Sequence, residues 1–138
     1  MPYASAQDIV DRYGEDRLLV LADRDGDGQA DQDALDRALA DAVAEVDGYV
    51  GARHALPLPG VPLVLTRLAV DIAVYRLAGS ADVLTDEIRT RYEDAVGVLR
   101  RISSGEVSLG LAPTPTVSGG TVEMLSQPAR FGRGRFRP

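Results

Sequence analysis

Residues 23–31 read DRDGDGQAD, the stretch of this chain best equipped for metal chemistry. Asp23, Asp25 and Asp27 alternate along it, Gly28 follows, and Gln29 and Asp31 extend the series. They fall at the first, third, fifth, sixth, seventh and ninth positions of an EF-hand calcium loop. There, oxygen ligands surround a hard cation and a glycine permits the sharp turn. The pattern breaks at its last position, where Ala34 stands in place of the closing bidentate Glu. Asp33 and Asp36 are one and two places out of register. Any calcium is therefore expected to be weakly held and structural, stapling the turn to the helix that follows. The competing expectation is a Gly-Asp turn in which Asp31 caps that helix and the other acids sit in water.

Other reactive groups are few. The chain has no cysteine and one histidine, His54, so a thiolate site is excluded and a multi-His site or Ser–His triad would need a second subunit. No Gly-rich phosphate loop, nucleophile elbow or metal-ligand cluster is present. His54 follows Arg53 at a helix end, where a capping or surface role is expected, and no enzyme activity is expected of the chain.

The second unusual stretch is the C-terminal ARFGRGRFRP, with Arg130, Arg133, Arg135 and Arg137 and no acid. These ten residues carry +4, so the other 128 carry −10 of the overall −6. An acidic body repels phosphate, which argues against nucleic-acid binding by the folded part. In an extended arm Arg133, Arg135 and Arg137 point one way and Gly132, Gly134 and Phe136 the other. Phe131 and Phe136 are suited to anchor in pockets, which fits strand addition or groove docking on an acidic partner surface. A tail-mediated nucleic-acid contact is the alternative.

Positioning these two features falls to helices. Ser5 is a good N-cap with Asp8 three residues on, and the first helix is expected to end at Tyr13–Gly14 with glycine in a left-handed cap. A short helical stretch over 15–22 leads into the aspartate loop. The second helix carries Leu35, Ala38, Leu39, Ala42, Val43, Val46, Tyr49 and Val50 at three- and four-residue spacing and closes near Gly51. ALPLPGVP (55–62) is a semi-rigid link, with Pro62 opening a third helix to about Leu77–Gly79. That helix is expected to bury Val64, Leu65, Leu68, Ile72 and Tyr75. Asp71 lies on the same face, so it is expected to pair with an arginine, Arg67 or one from the fourth helix. The fourth helix starts at Thr85–Asp86, ends beyond Arg100 and Arg101, and presents Ile88, Tyr92, Ala95, Val96, Leu99 and Ile102. The fold class is thus all-α: a four-helix bundle-like domain over 1–111, with the Asp/Gly-rich loop before helix two. A linker and extended C-terminal arm follow over 112–138, where prolines and then Ser-Gly-Gly replace core-forming residues.

No targeting segment is expected at the N-terminus, because MPYASAQDIVDRYGEDR lacks a basic region followed by an apolar run. The most apolar stretch, 61–79, is interrupted by Arg67, Asp71 and Arg76, so a soluble protein made in a cytoplasm is expected.

The blocks YASAQDIVDRYGEDRLLVLADRDGDGQAD, GYVGARHALPL, RLAVDIAVYRL and IRTRYEDAVGVLRRISSGEVSLGL, in that order over about residues 3–111, resemble the Mu-like bacteriophage structural proteins encoded among head and tail genes. That family is similar to the head–tail connector, or neck adaptor, proteins of tailed phages. The resemblance implies a helical bundle assembled as a homo-oligomeric, commonly dodecameric, ring in the virion neck. The ring would lie between the portal protein and a stopper or tail-completion protein, with DNA passing through it unbound. It also implies assembly in the host cytoplasm and docking on the portal by Arg130, Phe131, Arg133, Arg135, Phe136 and Arg137. A calcium-dependent binding module and a nucleic-acid binder remain the competing functions.

Overall fold

The computed structural model describes residues 2–111, and within them the chain is all-helical. The elements in order are α1 (Ala6–Tyr13), α2 (Glu15–Ala22), α3 (Gln32–Val50), α4 (Leu63–Ala81) and α5 (Asp86–Ser104). The bundle-like all-α reading therefore holds, with one change: the stretch over 15–22 is a full helix that buries Leu18, Leu21 and Ala22. Residues 112–138 lie outside the described residues, and the arm Arg130, Phe131, Arg133, Arg135, Phe136 and Arg137 with them.

Local signals account for the helix ends. Ser5 accepts from the Asp8 N–H while Asp8 accepts from the Ser5 N–H, a complete capping box. Gly14 does end α1, but with φ 92° and ψ 152°, not in the left-handed helical conformation expected. An extended ψ there redirects the chain at once into α2, whereas a left-handed cap would have curled it back over the α1 end. Thr85 accepts from Ile88 N–H at the start of α5, and Asp86 and Glu87 occupy its first turn. Gly105 closes α5 with φ 85° and ψ 1°, its neighbour Glu106 donating to the Arg101 carbonyl at 2.9 Å. The positive φ calls for glycine at this position, and a Cβ there would also displace the Arg53 guanidinium, whose Cζ lies 2.7 Å from where it would sit.

α4 is the hub, packing against each of the other four helices. Its expected single stripe is wrong in detail: Val64 and Tyr75 are half-buried, whereas Ala69, Val70, Ala73 and Val74 join Leu65, Leu68, Ile72 and Leu77 in the interior. The cause is α1 and α2, which cover sides of α4 that α3 and α5 leave open, so nearly the whole circumference is apolar. α3 and α5 follow the amphipathic expectation, burying Leu35, Ala38, Ala42, Val46 and Val50, and Ile88, Ala95, Val96, Leu99 and Ile102. No helix among the described residues is long and apolar enough to cross a membrane.

Candidate functional site

The aspartate loop links α2 to α3 and is organised by its own carboxylates. Oδ1 of Asp23 accepts from the Gly26 and Asp27 N–H groups at 2.8 and 3.2 Å, and Oδ2 accepts from Gly28 at 2.9 Å. Asp27 N–H also donates to Asp25 at 3.2 Å, and Gln29 N–H donates to Asp27 at 2.9 Å. Gly26 and Gly28 take φ of 77° and 83°, the region in which only glycine is unstrained. Asp31 caps α3 by accepting from Asp33 N–H at 3.1 Å, and its own N–H ties the loop to the Ala22 carbonyl at 2.7 Å.

Of the five candidate ligands Asp23, Asp25, Asp27, Gln29 and Asp31, the fold brings three together. Asp23, Asp25 and Asp27 each place one carboxylate oxygen within 4.8 Å of the others. Asp31 is engaged as the helix cap. Ala34, in the closing position, is buried in the first turn of α3 and offers no oxygen. Desolvation pushes the Asp23 carboxyl up, but the N–H donors of Gly28, Gly26 and Asp27 outweigh it, and the net shift is down. The Asp27 N–H pulls Asp25 down, whereas desolvation and the neighbouring carboxyls push it up, and the net shift is up. The donor set fits a hard cation in kind but is one bidentate ligand short of a tight site.

Asp71 is the one buried charged residue among those described, at 3% exposure. Its partner is neither Arg67 nor an α5 arginine. Arg12 grips it from α1 with a two-pronged guanidinium, Nε to Oδ1 at 2.9 Å and an η-nitrogen to Oδ2 at 3.2 Å. Tyr13 donates its hydroxyl to Oδ1 at 2.8 Å. Arg12 and Tyr13 come together at the end of α1 because α1 lies against α4, a tertiary fact without a sequence signature. Arg91 of α5 lies 4.9 Å from the Tyr13 ring centroid. The arrangement is a tether for α1, with the paired geometry expected of a structural carboxylate.

A second cluster, which the sequence did not reveal, joins α3, α4 and α5. Tyr75 and Tyr92 stack with centroids 3.9 Å apart, and Arg76 lies over both rings. Glu45 accepts from Tyr92 Oη and Arg76, each at 2.8 Å. Desolvation first, then the bond to Glu45, raises the Tyr92 phenol to about 12. Burial and Asp47 raise Tyr3 as well, whose hydroxyl donates to Asp47. Tyr92 stays protonated in the folded chain after it ionises in the unfolded one. Its contribution is therefore whole below the ordinary phenol pKa of about 10 and is lost as pH climbs toward 12. Replacing Tyr92 with Phe should flatten the fall in denaturant midpoint across that window, and tyrosinate absorbance should show fewer late-titrating phenols.

Comparison with known proteins places these features in a lineage. Residues 3–125 match the family described as "Bacteriophage Mu, Gp36". Gene product J of Escherichia phage Mu is 35% identical over 137 residues, covering 96% of each chain. The Mu-like prophage FluMu protein gp36 of Haemophilus influenzae is 36% identical over 110 residues, 80% of this chain and 77% of its own. A match spanning the five helices, the aspartate loop and the start of the segment beyond them is far more than half the sequence, and the chain belongs to the bacteriophage Mu Gp36 family.

Proposed function

We propose that this chain is a structural head–tail connector, or adaptor, of a tailed phage or phage-like particle. In that reading it forms a ring below the portal and docks there through residues 129–138. The observation that carries the proposal is full-length kinship with a phage Mu gene product, joined to a charge division of +4 on the last ten residues and −10 on the rest. Such a division suits a body that lets DNA pass and an end that reaches for an acidic neighbour. A small helical body held by side-chain ties such as Arg12–Asp71 suits a structural rather than catalytic role. The neck of the virion is its proposed place, with a stopper or tail-completion protein on the far side.

The test is capture by the portal protein of the same phage, imaged for rings. Removing residues 129–138 should leave the helical circular dichroism unchanged and abolish capture. Unchanged portal affinity in the truncated chain would refute the docking role. Salt-sensitive DNA binding that disappears with the same truncation would instead favour the nucleic-acid reading.

For the aspartate loop we propose a self-capped turn with weak cation affinity. Calorimetry should give a calcium Kd weaker than about 0.1 mM, the range of loops poor in ligand charge. Micromolar binding with a change in helicity would point to a regulated module. Asp23→Ala should lower Tm in calcium-free buffer, because the Gly26 and Gly28 N–H groups lose their acceptor and the Asp27 N–H keeps only Asp25.

A further inference from the structure

Resting on the ring reading above, we infer which faces of two copies meet: the α1/α4 groove carrying Leu63 and Arg67 on one, and the α3 face carrying Asp36 and Ala40 on the next. Leu63 is the most exposed large apolar residue described, at 86%. It opens α4 on the wall of a groove of about 460 Å3, with Val70 and Arg67 beside it. Arg67 follows one turn later on the same face and makes no hydrogen bond or ion pair among the described residues. Across the groove Asp8 accepts from Ser5 and Asp11 from Gln7, and neither forms an ion pair with Arg67 among the described residues.

The complementary features lie on α3. A groove of about 410 Å3 runs beside Leu39, Ala40 and Val43, roofed by Pro2 and Ala4 and edged by Asp36. Among the described residues Asp36 has only a neutral partner, the Gln32 amide at 2.7 Å. Asp36 and Ala40 are one turn apart, as Leu63 and Arg67 are, a rise of about 6 Å in both cases. Laid antiparallel, the two helices bring Leu63 into the Ala40–Val43 groove as Arg67 reaches Asp36.

Charge dictates the pairing. With −10 on all but the last ten residues, two copies repel unless a cation is brought to the contact. Arg67 facing Arg67, or Asp36 facing Asp36, would add to that repulsion. Setting Arg67 of one copy against Asp36 of the next replaces those like-charge pairs with an attractive one, a heterologous contact of the kind that forms rings where the rotation closes.

The absence of native cysteine gives a clean test. Leu63→Cys and Ala40→Cys chains are mixed with portal protein and oxidised. A disulfide-linked dimer should form in the mixture and in neither variant alone, since the bond needs Cα atoms within about 7 Å. Arg67→Glu should weaken self-association roughly tenfold, and adding Asp36→Arg in the same chain should restore it. Portal-bound protein without the mixed link, or a charge swap that fails to rescue, overturns this interface and leaves the connector reading standing. Wild-type chain that never binds portal overturns both.

Discussion

Arg12→Ala should lower the stability of the helical body by about 3 kcal/mol, a fall in Tm on the order of 10 °C. The change leaves the Asp71 carboxylate inside the bundle with the Tyr13 hydroxyl as its remaining hydrogen-bond partner. Uncompensated charge, more than lost attraction, is what destabilises such sites, and Arg12 at 31% side-chain exposure keeps the effect near the low end of the range. Tyr13→Phe removes one hydrogen bond to a charged group and should cost about 1.5 kcal/mol. The decisive comparison is the double variant Arg12→Met with Asp71→Leu. With no charge left to bury, it should return to within about 1 kcal/mol of the parent. A double variant as unstable as Arg12→Ala would mean that α1 is held by the ion pair's attraction itself. Urea titrations of the four proteins measure the free energies, and thermal melts measure the fall in Tm.

The same pair marks where sequence legibility ends. That Asp71 needs a cation follows from its place among Leu68, Ile72 and Tyr75, because helical spacing fixes its face and burial fixes its chemistry. Which cation supplies it depends on how α1 crosses α4, and no local spacing encodes an angle between helices. Arg67, four residues away on α4, is the nearest candidate; it lines the same small cavity as Asp71 and Arg12, yet Arg12 is the arginine that pairs with the carboxylate. The Tyr75–Tyr92 stack was hidden for the same reason: each tyrosine looked like an ordinary member of its own stripe. The capping box at Ser5, the caps at Asp31 and Thr85 and the failed last ligand at Ala34 are by contrast local, and each was readable. In the aspartate loop the spacing was right and the convergence of Asp23, Asp25 and Asp27 followed from it. The recruitment of Asp31 to the helix end followed as well, because a cap is a sequence-adjacent contact.

Two leucines on the first turn of α4 separate what folds this protein from what it presents to others. Leu65 is fully buried at the centre of the bundle, so Leu65→Ala should lower stability by about 3–5 kcal/mol, the transfer term plus a cavity that packed helices cannot collapse. Leu63, two residues earlier and 86% exposed, should change stability by less than about 0.5 kcal/mol on the same substitution. Helical geometry explains the contrast, since residues two apart on a helix point about 200° apart, one inward and one outward. A Leu63→Ala chain that keeps its Tm yet loses self-association would assign this side chain to assembly rather than to folding. If Leu63→Ala instead unfolds the chain as Leu65→Ala does, then the first turn of α4 is covered by part of its own subunit, and its apolar tip is not available to a neighbour.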